Sequence, residues 1–278
     1  MILIDIAAGA LSIDLGARGP NFSTVSACAA AADAIGQAFR IIQRGDAQVM
    51  IAGGSEATIA PLGIGLFDQL GALCRRNETP QAVPQPFDKE RDGLVMGEGA
   101  AMLVLEESEF ARARGAHILA EIVGYSATAD STHITAPDPQ GAGGAKAMAR
   151  ALADAGLSPD QVDYINAHGT ATELNDQIET AAIKTVFGEH AYRLAVSSTK
   201  SMTGHMMGAT GAVEALVCVR AVSDGVIPPT INYHTPDPAC DLDCVPNKAR
   251  RQPVRLAISN SFGFGGHNNT LAFKSYEQ

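Results

Sequence analysis

Apolar and polar positions along this chain fall into two periods, about two residues where a strand is expected and about 3.6 where a helix is. Residues 20–27 (PNFSTVSA) alternate and predict a strand that ends beside Cys28. The stretch AAAADAIGQAFRIIQRG then places Ile35, Phe39 and Ile42 on one helical face, and Gly45 closes the helix. AQVMIAGG follows as a short apolar strand stopped by two glycines, which completes a βαβ-like unit. Residues 61–98 are rich in proline, glycine and charge and predict a long excursion of functional loops. The strand AAMLVLEE comes next, then a basic helical stretch at Arg112 and Arg114, then the strand ILAEIVGYSATAD.

A second series begins there, with helices over 143–156, 173–187 and 205–224 and strands over 162–167, 193–198, 254–260 and 269–275. Strands alternating with helices predict an α/β protein with a mainly parallel sheet covered on both faces and sites at the carboxyl ends of strands. VSACAAAADAIGQAFRIIQRGDAQVMI and VSSTKSMTGHMMGATGAVEALVCVRAVSDGVI share one order: strand, reactive residue, helix of small residues, turn with glycine and aspartate. That is a weak self-similarity, suggestive of an internal duplication.

Composition narrows the class without naming a chemistry. A chain of 278 residues, 46% apolar and 18% charged, with 28 glycines and 14 prolines, has room for one or two domains and excludes disorder, collagen and coiled coil. The net charge of -10 leaves no molecule-wide basic field, so a nucleic acid is not expected as a partner. An acidic partner would need a local cluster such as Arg75, Arg76, Lys89 and Arg91. Five cysteines without a CxxC pair fit a reducing compartment, and the cytoplasm is expected (plastid or mitochondrial matrix in a eukaryote). The first twenty residues carry Asp5 and Asp14 and no basic segment, and no run approaches 18 uncharged apolar residues, so neither a signal peptide nor a membrane span is expected.

The candidate chemistry sits at strand ends. Cys28 opens a helix whose first turns are almost all alanine, where unpaired N–H groups and the positive end of the dipole favour thiolate and predict a lowered pKa. An inert buried cysteine is the competing reading of that position. His168 lies in NAHGTAT, between a strand and the hydroxyls of Thr170 and Thr172, and His205 lies in STKSMTGH, five residues after Lys200. Neither histidine has metal-ligand spacing, and CDLDC at Cys240 and Cys244 lacks a partner pair, so no metal site is expected. NSFGFGG packs glycines around Phe262 and Phe264, which permits a tight loop with free backbone N–H groups.

Cys28 in SACAA, NAHGT at 166–170, STKSMTGH at 198–205 and NSFGFGG at 260–266 together resemble a β-ketoacyl-acyl-carrier-protein synthase of the elongating, two-histidine type, synthase II most of all. PFDKERDGLVMGEGA at 86–100 and PPTIN at 228–232 agree in order and spacing. The resemblance implies a thiolase-like fold with duplicated mixed sheets covered by helices, divided at 1–115 and 116–278. It also implies a homodimer whose substrates ride on the phosphopantetheine of acyl carrier protein, with no further cofactor. Cys28 matches the acyl-accepting nucleophile, His168 and His205 the malonyl-side pair, and Lys200 a lysine that holds the histidine site, with Glu214 and Glu179 as its charge partners. Thr170 and Thr172 match hydroxyls on the pantetheine arm, Phe264 a gate, and Phe67 a lining residue of the acyl pocket.

Members of that family continue well before the segment resembling Met1, so an incomplete N-terminal half is expected. A thiolase would use a second cysteine and an initiating synthase an asparagine in place of one histidine, unlike what stands at 168 and 205. A polyketide-type ketosynthase shares the triad with different flanks, and a truncated, non-catalytic partner subunit is the reading from another class. The implied activity is decarboxylative condensation of malonyl-acyl carrier protein with an enzyme-bound acyl group in fatty-acid elongation.

Overall fold

The computed structural model describes residues 3–277. Two helices form its centre: α2 (Ala30–Gln43) and α8 (Thr210–Asp224). Both are built from small residues on their contact faces. A Cβ on Gly211 would lie 2.9 Å from the Ala32 backbone nitrogen, and one on Gly36 would lie 2.2 Å from Tyr125 Cε2. Close approach of the two helices therefore rests on small residues such as Gly211 and Ala32, while Gly36 makes room for the Tyr125 ring. Ile35, Ala38, Ala212, Ala215, Cys218 and Val222 join one buried cluster with Leu271 and Phe273. Each large side chain fully buried there contributes about 1.5–3 kcal/mol.

Around this centre run α1 (Ile6–Leu15), β1 (Val49–Glu56), α3 (Pro61–Gln69), β2 (Gly99–Glu106), α4 (Ser108–Ala113), β3 (Glu121–Ala129), α5 (Ala142–Asp154), β4 (Tyr164–Asn166) and α6 (Glu173–Phe187). They are followed by β5 (Ala195–Ser197), α7 (Lys200–Thr203), β6 (Val226–Ile227), β7 (Arg250–Arg251), β8 (Leu256–Gly263) and β9 (His267–Lys274). Five strands form one sheet in the order β3-β9-β8-β4-β5. β4 is parallel to β5 and β8, whereas β9 is antiparallel to β3 and β8. The sheet is thus mixed, as the family resemblance implies, and the mainly parallel expectation fails for a local reason. β8 and β9 are joined by a tight turn in which Gly265 and Gly266 take φ of 91° and 74°, so no crossover helix separates them. Helices 173–187 and 143–156 form as α6 and α5 with at most two residues of displacement.

The first half departs further. Residues 20–26 are not a strand, and Val25 is 70% exposed, because none of the described strands lies beside that segment. α1 was not expected from the pattern and buries none of its residues. The expected loop region 61–98 contains α3, started by Pro61 at its first position. The rest of that region is irregular, tied down by isolated bridges such as Met96 to His205. Among the described residues, β1 and β2 pair only with each other, over eight residues each. No described helix is long and apolar enough to cross a membrane.

Candidate active site

Cys28 sits in a single 3-10 turn, Ala27–Ala29, immediately before α2. The turn is sharp: Ala27 takes φ of 50°, a left-handed conformation that costs an L residue energy and aims the next side chain away from the helix axis. The end of β8 presses on it, since a Cβ on Gly263 would lie 2.7 Å from the Ser26 carbonyl oxygen and 3.2 Å from the Cys28 nitrogen. Burial of the thiol pushes its pKa up to about 11, against the lowering influence of the Lys200 charge and the backbone N–H groups of Phe264 and Cys28 itself. The sequence position predicted a lowered value. Desolvation outweighs the helix terminus because Leu94 and Met207, with Phe67 and Met96 packed against them, remove the sulfur from water.

His168 and His205 arrive from different elements and meet edge to face, ring centroids 5.4 Å apart at 85°. His168 leaves the end of β4, and its backbone N–H and that of Gly169 donate to the two Glu179 carboxylate oxygens at 2.9 and 2.8 Å. Asn260 Nδ2 donates to the same carboxylate at 3.2 Å. Glu179 therefore holds the histidine loop and is not the partner of Lys200, correcting the expected pairing: α6 points it at β4, away from α7. His205 is fixed through its backbone, donating to Val95 O at 2.7 Å and accepting from Gly97 N at 2.8 Å. Its Nδ1 lies 2.9 Å from the Thr210 hydroxyl. A hydroxyl donating there leaves the proton of the neutral ring on Nε2.

Both imidazoles are held well below their ordinary pKa, first by burial and then by the Lys200 charge, with His205 adding to the effect on His168. They are neutral at pH 7 and can donate a hydrogen bond without first losing charge. Lys200 Nζ lies 2.5 Å from Glu214 Oε1, and both side chains are 1% exposed. Burial raises the Glu214 carboxyl to about 7 against the pull of that ammonium. This pairing is the expected one.

A cavity of about 380 Å³ joins these groups. Cys28, His168, His205, Glu179, Thr170, Thr172, Phe67 and Phe264 line it, and Lys200 with Glu214 lies behind. The Thr170 and Thr172 hydroxyls are 2.9 Å apart. Phe264 stacks on Phe67 of α3, centroids 6.3 Å apart, so one wall of the cavity is aromatic. The basic cluster does not act as one group: Arg91 is turned inward, whereas Arg75 and Lys89 are exposed. Arg91 is buried, pairs with Asp237 at 2.6 Å and donates to the Thr172 and Glu173 carbonyls, while Arg75 pairs with Asp68 and Arg76 with Asp92. Sequence reasoning missed Thr210 and Asn260. Asn260 opens the NSFGFGG motif and Thr210 starts α8, so their positions were visible but their partners were not.

The family profile "Beta-ketoacyl synthase, N-terminal domain" matches residues 2–111 and "Beta-ketoacyl synthase, C-terminal domain" matches residues 119–234. The chain is similar to the 3-oxoacyl-[acyl-carrier-protein] synthase 2 of Synechocystis sp., 56% identical over 277 residues, covering 100% of this chain and 67% of that protein. The enzyme of the same name from Staphylococcus aureus is 54% identical with the same coverage. A solved type II polyketide synthase ketosynthase, in complex with its acyl-carrier protein and bound to a hexaketide, superposes with a TM-score of 0.97 at 41% identity, covering 99% of this chain and 68% of that one.

Proposed function

The chain belongs to the β-ketoacyl synthase family, and from that premise we propose that it joins an acyl group held on Cys28 to a malonyl unit carried by acyl carrier protein, releasing carbon dioxide in fatty-acid elongation. The observation that carries the reading is the pair of neutral, buried imidazoles sharing one cavity with a thiol at a strained turn.

In the first half-reaction the Cys28 sulfur attacks the acyl thioester carbonyl. Its bond to the acyl carbon forms, the bond from that carbon to the carrier sulfur breaks, and the thiol proton ends on the released carrier thiol. Backbone N–H groups of Cys28 and Phe264 face the sulfur, which suits them to hold the carbonyl oxygen as it gains charge. A thiol with a raised pKa leaves the resting site uncharged, and the arriving thioester is then attacked where water is excluded.

In the second, the malonyl carbon–carboxylate bond breaks and its electron pair passes into an enolate. His168 and His205 donate to the thioester oxygen that becomes the enolate oxygen. Neutral donors suit this task because they stabilise the developing charge without collapsing it by full proton transfer. The enolate carbon then attacks the acyl-Cys28 carbonyl, the new carbon–carbon bond forms, and the Cys28 thiolate leaves and regains a proton from solvent. Thr170 and Thr172 at the cavity wall offer hydroxyls to the amides of the pantetheine arm. Phe264 stacked on Phe67 divides the malonyl side from the acyl side.

The test separates the half-reactions. Cys28→Ala should still release carbon dioxide from malonyl-acyl carrier protein without condensing, whereas His168→Ala or His205→Ala should lose release by about 100-fold or more. Equal release by all three variants contradicts the assignment. The likeness to a polyketide ketosynthase supports a second reading, which differs in product. Elongation gives one condensation per acyl carrier before reduction, and a polyketide enzyme gives successive condensations in the absence of any reductase.

A further inference from the structure

The turn that carries Cys28 is braced from outside itself. Ala27 is left-handed, with φ of 50°, and its ψ sets where the following peptide N–H, that of Cys28, points. A strained residue keeps such a conformation only where its surroundings over-determine it. Ser26, just before it, is buried, yet its side chain does not cap the turn it precedes, the common use of a serine in that place. Its hydroxyl donates instead to Asp33 Oδ2, seven residues on, in the first turn of α2.

Asp33 is held in turn by the five-stranded sheet. The Tyr125 hydroxyl of β3 donates to Asp33 Oδ1 at 2.5 Å, and Asn269 Nδ2 of β9 donates to the same oxygen at 2.5 Å. Tyr125 stands opposite Leu271 and Ala127 opposite Asn269, so the two donors are diagonal neighbours on one face of the sheet. The Asn269 amide is turned this way at a cost, because its Oδ1 is left buried without a hydrogen-bond partner among the described residues. Three donors thus converge on one carboxylate and both of its oxygens are used. An acidic residue placed near a helix start for the dipole alone needs no such set.

We propose that Asp33 is a positioning residue for acyl transfer: anchored on Tyr125 and Asn269, its carboxylate holds the Ser26 hydroxyl and with it the left-handed turn that aims the Cys28 sulfur and N–H into the cavity. The effect on acyl transfer rests on the proposed reaction. The bracing of the turn does not.

The experiment compares Ser26→Ala, Asp33→Asn and the combined variant with the parent chain. Hydrogen exchange at the Ala29 N–H, which donates to Ser26 O at 3.0 Å, should quicken at least about tenfold in each variant. The maximal rate of Cys28 acylation from an acyl-carrier thioester should fall at least about tenfold, while its half-saturating concentration and the rate of malonyl decarboxylation stay within about twofold. The combined variant should be no slower than Asp33→Asn alone, since both changes break the same contact. Unchanged exchange at Ala29 overturns the proposal, as does a combined loss equal to the product of the single losses. An equal fall in decarboxylation also overturns it, because a general loosening of the fold would act on both half-reactions. Where Asp33→Asn does not fold, Ser26→Ala, which removes one oxygen atom, decides on the same exchange and rate readouts. A parent chain that is never acylated contradicts the proposed reaction, and the exchange contrast still decides whether Asp33 holds the turn.

Discussion

Lowering the pH from about 7.5 to about 5.5 should weaken the fold through His168 and His205, by up to about 1 kcal/mol for each ring. Both rings are buried and held well below the ordinary 6.5 by burial and by Lys200. In the unfolded chain they titrate near that ordinary value. A base with a depressed folded pKa contributes stability that is present above its unfolded pKa and is lost as the pH falls, because the unfolded state takes up the proton first. Over this interval the unfolded-state titration limits each imidazole's contribution to one tenfold change in proton binding, up to about 1 kcal/mol per ring. The carboxyls of Asp176, Glu179 and Glu214 are raised by burial and act in the opposite sense, favouring the folded state as the pH falls. They are common to the parent and to a histidine variant, so a difference measurement removes most of their effect. Urea unfolding followed by circular dichroism at both pH values, on the parent and on His205→Asn, isolates one ring. The variant should show a shallower loss of stability with falling pH than the parent, by up to about 1 kcal/mol over the interval. An unchanged pH dependence would show that the ring is not held neutral, and the role of the pair as neutral donors would fall with it.

Three further outcomes are expected. Lys200→Met leaves the Glu214 carboxylate buried without its partner and should cost about 3–5 kcal/mol, read as a lowered unfolding midpoint. Adding Glu214→Gln should recover much of that stability and none of the condensation, since the charge that pulls down the Cys28 thiol and both imidazoles stays absent. Alkylation of Cys28 by iodoacetamide should rise about tenfold per pH unit between about pH 7 and about pH 10, as expected for a thiol near 11, and a plateau at pH 8 would contradict the burial argument. Glu179→Ala strands the His168 and Gly169 N–H groups at about 1–3 kcal/mol each, and malonyl decarboxylation should fall further than acylation of Cys28.

Much of the second half was legible along the chain because its elements are local. The 3.6-residue spacing of 173–187 marks α6 to the residue, and the apolar runs at 254–260 and 269–275 locate β8 and β9. Four short motifs in order were enough to single out Cys28, His168, His205 and Lys200, since each stands at a strand end or helix start where glycine or small residues leave the side chain free. The first half was less legible for a physical reason. PNFSTVSA has strand alternation, yet a strand exists through its neighbours, and none of the described strands lies beside it.

By itself the sequence determined which residues can react and in what order they occur, because residue type and local period are properties of the chain. Tertiary structure decided what those residues are electrically. The helix start at Cys28 argues for a lowered pKa and burial makes it about 11. Two histidines separated by 37 positions become a neutral pair only when β4 and the loop before α8 bring their rings to 5.4 Å. Glu179 and Glu214 look alike in the sequence, and the direction in which α6 and α8 present them makes one a clamp on backbone N–H groups and the other the counterion of Lys200. Desolvation and pairing depend on what surrounds a group in space, and that is settled by packing between segments far apart in the chain.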